Sequence, residues 1–184
     1  MNLTAFRLTD AGDEAVDRLL IEPLAAARHL PAPQAPSVLS IIDIGSGSGS
    51  PAIPMRLAIP EARLVLVEAK TRKAVFLLEA TRQLSLGQVS IETARFEQLL
   101  TKPELHEAFD VLTIRAVRVE MRTLLTLQAF LRPDGQLFWF RGPTGADAPP
   151  EDAFPLRWTA TYPLIETLRS RLVVLTKRAV GTGR

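Results

Sequence analysis

Short apolar runs alternate with stretches of helical periodicity along most of the chain. Residues 38–44 form a nearly continuous apolar segment between turn residues, which is typical of a strand buried on both faces. Six further runs predict strands at 63–68, 89–93, 109–114, 137–140, 158–162 and 172–176. Helical spacing between them predicts helices from Pro51 onward, over 70–85 and over 119–131. This alternation predicts an α/β fold with a seven-stranded, mostly parallel sheet, helices on both faces and a terminal antiparallel β pair.

The N-terminal part has a different pattern from the rest. Residues 13–30 carry apolar positions at helical spacing, interrupted by Pro23, and a Pro-rich stretch follows at 31–36. We therefore expect an N-terminal helical extension and linker over 1–36 and the main domain over 37–184. The chain contains neither an apolar stretch of membrane-spanning length nor a signal-peptide pattern, so the expectation is a cytoplasmic protein, monomeric and without membrane contact.

The amino-acid composition excludes several kinds of functional site but does not identify one. The chain of 184 residues has no cysteine, which excludes disulfides, thiolate metal sites and a cysteine nucleophile. No metal site is expected. The 22 basic and 20 acidic residues leave a net charge of only +2, which is weak support for nucleic-acid binding.

A glycine-rich turn follows the first strand. It contains Asp43, then Gly45, Gly47 and Gly49 at alternate positions, and Ser50. Glycines after a buried strand let the backbone approach a ligand closely. The dinucleotide fingerprint requires glycine where Ser50 stands, whereas Asp-x-Gly-x-Gly-x-Gly is the pattern expected for S-adenosylmethionine. Asp43 would orient the cationic methionine end, directly or through water; a merely flexible turn is the alternative.

Two acidic positions at later strand ends fit the same ligand. Glu68 ends the second strand, close to the roughly 20-residue offset at which a carboxylate meets ribose hydroxyls. Phe96 and Glu97 follow the third strand, where the loop would border the adenine. A core role for Phe96 and a helix-start role for Glu97 are equally open.

Several basic residues are candidates for binding an anion. Arg115 follows the fourth strand, and it would either pair with the carboxylate of the donor or a phosphate, or form a salt bridge to Asp110 or Glu97. It is the candidate positioning residue. Positive charges at the start of a helix are disfavoured by the helix dipole, and an exception of this kind more often reflects function than chance. The candidates for contacting phosphates of a nucleic acid are Lys70, Arg72, Lys73 and Arg141, with Arg169, Arg171, Lys177 and Arg178 as further basic groups. A solvated face is the alternative for each.

Several segments together resemble one family, the RsmG (GidB) methyltransferases. The matching segments are residues 2–4, 43–54, 70–77, 94–97 and 109–116. The resemblance implies a Rossmann-like class I methyltransferase fold with S-adenosyl-L-methionine as methyl donor. It also implies methylation of a guanine N7 in the 530 loop of 16S ribosomal RNA, so that this RNA or the small ribosomal subunit is the partner. The residues that it assigns to the donor are Gly45, Ser50, Phe96, Glu97 and Arg115, with Glu68 on the ribose.

The chain departs from the family pattern in places. Residues 17–23 stand where the family has an Arg-His-x-x-Asp-Ser segment, and they lack its His and its Asp-Ser. Ser50 stands where the family has a bulky apolar residue, and Arg141-Gly142 stands where it has Lys-Gly. The family also has a longer helical region before residues 2–4.

The chemistry agrees with the absence of an obvious base. Guanine N7 carries a free lone pair, so its methylation needs alignment rather than proton removal. His29 and His106 both fall in predicted loops. Two alternatives stay open: a methyltransferase for a small molecule or protein, and an inactive module that binds the donor. Exocyclic-amine methylation is disfavoured by the sequence at residues 114–117, and a dehydrogenase by Ser50.

Overall fold

A single seven-stranded sheet forms the centre of the molecule. The computed structural model describes residues 12–32, 37–115, 119–143 and 154–179. The strands are β1 (Ser40–Ile44), β2 (Arg63–Val67), β3 (Val89–Glu92), β4 (Phe109–Arg115), β5 (Leu131–Arg141), β6 (Leu156–Pro163) and β7 (Arg171–Lys177). Their order is β3-β2-β1-β4-β5-β7-β6. The first five run parallel, and β7 pairs antiparallel with both β5 and β6. The predicted sheet and its terminal pair are confirmed.

Helices cover both faces of this sheet, as predicted. They are α1 (Gly12–Val16), α2 (Glu22–Ala27), α3 (Ala52–Ala58), α4 (Thr71–Gln83), α5 (Phe96–Leu99) and α6 (Met121–Leu127). Alternate strand residues point to opposite faces. Ile42 packs in a core cluster with Leu99 of α5 and Leu124 of α6, whereas Ile41 packs with Met55 of α3 and Leu77 of α4.

The N-terminal helix, residues 12–27, is continuous in space but changes its winding. A π turn, Asp17–Ile21, joins α1 to α2. Ala26 is fully buried in the core cluster that contains Met55 of α3. The helix therefore packs directly on one face of the sheet. Residues 2–4, the proline-rich residues 33–36 and residues 144–153 lie outside the described ranges.

The prediction was wrong between α6 and β5. A helix to residue 131 was predicted, but α6 ends at Leu127, a 3₁₀ turn covers Gln128–Phe130, and β5 already begins at Leu131. Leu131 pairs with Phe109, and the register then jumps so that Gln136 pairs with Val111. The Pro-Asp-Gly turn at 133–135 therefore interrupts β5 without ending it, because β5 pairs with β4 both before and after the turn.

Candidate functional site

The carboxyl ends of the parallel strands border one cavity. Because β1, β2, β3 and β4 run in the same direction, the residues that follow them meet at one edge of the sheet. A cavity of about 600 Å³ opens there. Its lining comes from strand ends, the glycine turn and α5: Ile44, Gly45, Val67, Glu68, Ala69, Lys70, Thr93, Ala94, Arg95, Phe96, Glu97, Gln98, Ile114 and Thr123. Of the predicted donor residues, four therefore line the cavity, namely Gly45, Glu68, Phe96 and Glu97.

The three glycines of the turn have different surroundings. Each adopts a positive φ, which L side chains rarely tolerate. A Cβ on Gly45 would meet no atom within 4 Å, so this residue leaves space at the cavity. A Cβ on Gly49 would lie 2.5 Å from Cδ1 of Ile53. Gly49 is therefore closely packed against α3, whereas Gly45 leaves room for a ligand.

Glu68 links the end of β2 to the glycine turn. Its side chain is buried, and its two oxygens accept hydrogen bonds from the backbone N–H groups of Gly47 at 2.9 Å and Lys70 at 2.8 Å. A carboxylate offers about four lone pairs, so both oxygens keep acceptor capacity toward the cavity. Gly47 thus fixes the Glu68 carboxylate through its backbone N–H and does not line the cavity itself.

Asp43 lies beneath the turn and outside the cavity lining. Its side chain is only 1% exposed, and its Oδ1 accepts a hydrogen bond from Thr113 of β4 at 2.5 Å. Burial raises the pKa of Asp43 to about 6, against the opposing effect of the Thr113 bond. Its Oδ2 is buried and has no hydrogen-bond partner among the described residues. Asp43 therefore holds an unmet acceptor close to the turn.

Ser50 and Arg115 both contact the N-terminal helix. The Ser50 hydroxyl donates to the carbonyl of Leu19 at 2.9 Å. Arg115 Nη1 donates to the carbonyl of Arg18 at 2.6 Å and to Oε2 of Glu22 at 2.8 Å. The ion partner of Arg115 is thus Glu22, and the alternative of a bridge to Asp110 or Glu97 was wrong. Asp110 instead accepts hydrogen bonds from Ser40 and pairs with Arg132 at the opposite edge.

Arg115 is largely buried and only partly satisfied. Its guanidinium stacks over the ring of Phe140 at 4.7 Å, and its side chain is 14% exposed. Burial lowers its pKa, while the Glu22 carboxylate opposes that effect. Nε and Nη2 have no partner within the described part of the chain. Three N–H groups of this buried guanidinium, one on Nε and two on Nη2, thus lack a partner among the described residues, although Arg115 is not among the residues that line the cavity.

Phe96 and Glu97 begin α5 at the rim of the cavity. Phe96 is half-buried and packs against the core cluster that contains Leu99, and Glu97 is exposed in the first turn of the helix. Both also line the cavity. The core and helix-start roles are therefore compatible with a ligand role at these positions.

The basic residues divide between the two edges of the sheet. Lys70 lines the cavity, and Lys73 Nζ lies 3.8 Å from the position that a Cβ on Gly47 would take. Arg72 is exposed beside them, and Arg141 stacks on Trp139 at the carboxyl end of β5. Lys177 differs: it is buried at the opposite edge and donates to Glu107 at 2.8 Å, so it faces away from the cavity.

The two histidines stand apart from the cavity lining. The His29 ring stacks on Tyr162 with the centroids 3.7 Å apart, and His106 Nε2 lies 2.8 Å from the carbonyl oxygen of Leu100. Over the described ranges, no group of three His, Asp or Glu residues could hold a metal ion. Among the same residues, no helix is long and apolar enough to cross a membrane.

Sequence reasoning missed the contributions of Thr113 and Glu22. Thr113 looks like any buried strand residue, and only the β1–β4 pairing, Asp43 beside Thr113, reveals its role. Glu22 lies in a segment that resembles no intact motif, and the adjacent Pro23 indicates only that the helix is irregular there. Its burial, at 3% exposure, appears only once the helix is placed on the sheet.

Comparison with solved structures supports the fold. A SAM-dependent methyltransferase from Aquifex aeolicus aligns with a TM-score of 0.67 at 12% identity, covering 95% of this chain and 98% of that one. The CurJ carbon methyltransferase aligns with a TM-score of 0.67 at 15% identity, covering 92% of this chain and 57% of that one. At such identities the likeness concerns the fold alone, which is Rossmann-like.

Sequence comparison is more specific. Ribosomal RNA small subunit methyltransferase G from Roseiflexus sp. (strain RS-1) is 42% identical over 124 residues, 67% of this chain and 50% of the relative. The protein of the same name from Sorangium cellulosum is 36% identical over 140 residues, 74% of this chain and 58% of the relative. The chain thus spans about half the length of the curated relatives that it matches. The family model described as "rRNA small subunit methyltransferase G" matches residues 1–153, and the chain belongs to that family, GidB.

Proposed function

We propose that this protein binds S-adenosylmethionine in the cavity at the carboxyl edge and methylates N7 of a guanine in the 530 loop of 16S ribosomal RNA. The observation that carries the proposal is Glu68, a buried carboxylate that is fixed by two backbone N–H groups and lines a 600 Å³ cavity beside a glycine turn. Membership of a methyltransferase family, and a fold shared with a SAM-dependent methyltransferase, support the choice of donor.

The side chains around the cavity fit such a donor. Glu68 has acceptor capacity for ribose hydroxyls, and Phe96 offers an apolar ring at the rim where the adenine would lie. Within the described part of the chain, Arg115 Nε and Nη2 have no partner and would donate to the carboxylate of the methionine end. Asp43 Oδ2 likewise has none and would orient the ammonium group, directly or through water. These unmet buried groups are costly unless a ligand completes them.

Alignment is the main contribution that the protein has to make. The donor supplies a methyl group on a positively charged sulfur, and guanine N7 attacks it with a lone pair that is already free. No proton is removed before the transfer, so no general base is required. The protein then acts by holding the donor and the base in line and near contact distance. The positions of His29 and His106, both away from the cavity lining, are consistent with this chemistry.

RNA would approach across the basic residues beside the cavity. Lys70 and Lys73 lie at the cavity and the glycine turn, with Arg72 exposed between them. Arg141 lies at the carboxyl end of β5, on the other side of β4. Cations on both sides of the cavity can contact phosphates of one strand while a base enters between them. A ribosomal substrate would place this activity in the cytoplasm.

Calorimetric titration with S-adenosylmethionine tests the donor. The wild type should bind, and Gly45→Arg and Glu68→Ala should each weaken binding at least about tenfold, since one fills the cavity and the other removes a charged acceptor. Glu61→Ala, an exposed carboxylate before β2, is the matched control and should leave the affinity unchanged. An absence of wild-type binding would refute the proposal.

Methyl transfer to small ribosomal subunits tests the acceptor. Subunits that lack the modification are incubated with the protein and labelled donor, and the site is mapped by chemical cleavage at 7-methylguanine. A single cleavage in the 530 loop is the expected result. Label on another nucleotide would refute the assignment of the base, and donor binding without any transfer would identify an inactive module.

A further inference from the structure

The N-terminal helix contains an irregular turn where it meets the donor site. In an α-helix, the N–H of Glu22 would donate to the carbonyl of Arg18, but in the π turn it donates to the carbonyl of Asp17. The next residue, Pro23, has no N–H, so the carbonyl of Leu19 lacks the α-helical donor as well. Two successive carbonyls thus lose the intrahelical partner that regular winding would give them.

Both carbonyls are used by residues of the candidate site. The carbonyl of Arg18 accepts a hydrogen bond from Arg115 Nη1 at 2.6 Å, and the carbonyl of Leu19 accepts one from the Ser50 hydroxyl at 2.9 Å. The same turn provides Glu22, whose buried carboxylate accepts from Arg115 Nη1 at 2.8 Å. One irregular turn therefore fixes the last residue of the glycine turn and the last residue of β4.

The contacts hold Arg115 in one orientation. Nη1 is taken by the N-terminal helix and the guanidinium face by Phe140, which leaves Nε and Nη2 buried and unpartnered in the described structure. A guanidinium is planar, so fixing one nitrogen and one face also fixes the direction of the remaining N–H groups. Glu22 therefore determines which donors a ligand can reach.

We propose that Glu22 and Pro23 are positioning residues of the donor site: Pro23 sets the π turn that presents the Arg18 and Leu19 carbonyls, and Glu22 aims Arg115 at the carboxylate of the donor. This inference rests on the proposed function, because it assumes that the cavity binds S-adenosylmethionine. It makes the N-terminal helix part of the donor site, at the amino-acid end of the ligand.

The test compares two ligands that differ only at that end. S-Adenosylhomocysteine carries the amino-acid group, whereas 5′-methylthioadenosine lacks it, and the dissociation constant of each is measured by calorimetry. Glu22→Gln removes the charge but keeps the side-chain size. It should weaken S-adenosylhomocysteine about tenfold, because one charge-assisted contact to Arg115 is lost, and leave 5′-methylthioadenosine within about twofold. Glu22→Asp, which keeps the charge, should restore part of the affinity.

A second variant and a control make the result independent of folding. Pro23→Ala supplies an N–H that competes for the Leu19 carbonyl and favours helix, so it should fold and show the same ligand split, about threefold. Glu14→Gln breaks an exposed pair with Arg18 on the same helix and should change neither affinity. Equal weakening of both ligands, or no change in either, would overturn the inference. Failure of the wild type to bind S-adenosylhomocysteine would instead refute the proposed function.

Discussion

At the scale of single residues, the carboxyl edge of the sheet keeps a buried carboxylate whose ionisation is disfavoured by burial. Asp43 is 1% exposed, and burial raises its pKa to about 6, against the opposing effects of hydrogen bonds from Thr113 and Ser46 and of the charge on Arg115. Since the ordinary pKa of an aspartate is 3.8, the raised pKa means that folding disfavours the ionised form of Asp43. Perturbed groups of this kind are concentrated at functional sites, where stability is lost in exchange for binding or catalysis.

The stability of the fold should therefore depend on the charge of Asp43. Between about pH 4 and pH 6 the unfolded chain has lost this proton while the folded chain still holds it, so stability falls as pH rises through that window. Relative to wild type, Asp43→Asn should gain about 3 kcal/mol in free energy of unfolding between pH 4 and pH 7. Urea denaturation at several pH values measures this change.

The control for that experiment is Asp134→Asn at an exposed turn position. Its difference from wild type should stay constant over the same pH range. If Asp43→Asn and wild type gave parallel curves, the burial of Asp43 would carry no cost in the folded state. In the same samples, weaker binding of S-adenosylhomocysteine by Asp43→Asn would tie the cost to donor binding.

At the scale of elements, the first turn of α4 carries charge of the wrong sign for its helix. Lys70, Arg72 and Lys73 lie at the positive end of the helix dipole, where acidic residues are favoured. If these cations track phosphates, changing all three to Gln should lower methyl transfer to small ribosomal subunits. It should also reduce the slope of log affinity against log salt by about 2–3. Donor affinity should change much less.

Arg63 and Arg157 provide a control for position, in which two charges are removed where the α4 variant removes three. Arg63 begins β2, and Arg157 pairs with Thr176 near the end of β7, so both lie at the edge opposite the cavity. Changing them to Gln should leave the salt slope as in wild type. If the change in salt slope per removed charge were the same in both variants, binding would follow net charge and not the position of the α4 residues.

The elements that sequence predicted best are those whose pattern is local. The strands β1 to β4 and helix α4 follow from runs of apolar residues, and Glu68 follows from its place after β2. The two largest errors involve contacts between distant parts of the chain. The Pro-Asp-Gly turn at 133–135 resembles a helix stop, and only pairing with β4 on both sides makes it part of β5.

The Glu22–Arg115 pair shows the same limit at the site. Pro23 indicates that the helix is interrupted, but not which carbonyls become available or what they contact. Arg115 lies 93 residues further along the chain, and no local spacing connects the two. Their meeting depends on the N-terminal helix lying against α3, which the apolar pattern of residues 13–30 does not specify.

At the scale of the whole molecule, one edge of the sheet carries the candidate site and the other carries contacts that stabilise the fold. The carboxyl edge holds the cavity, the glycine turn, and the polar atoms of Asp43 and Arg115 that have no partner among the described residues. The amino edge holds contacts that close the fold: Arg132 pairs with Asp110, and Arg56 donates to the carbonyl of Gly87 at 2.9 Å. Separation of this kind allows a site to keep costly groups, because the opposite edge supplies stability.

Lys177 allows this separation to be tested. Its side chain is buried, and Nζ donates to Glu107 and to the carbonyls of Gln128 and Leu131, which joins β7 to the start of β5. Lys177→Met leaves those buried carbonyls without their donor and should lower the free energy of unfolding by about 2–4 kcal/mol in urea denaturation. The affinity for S-adenosylhomocysteine, measured well below the unfolding transition, should stay within about twofold of wild type.

The control for Lys177 is Lys102→Met, which removes a half-exposed ion pair with Glu92 and should be much less destabilising. The decisive comparison is with Glu22→Gln. Lys177→Met should change stability and leave donor affinity, whereas Glu22→Gln should change donor affinity. If the fully folded Lys177→Met variant lost donor affinity, the two edges would be coupled through β5 and β7. The inference that one edge serves stability and the other serves binding would then be wrong.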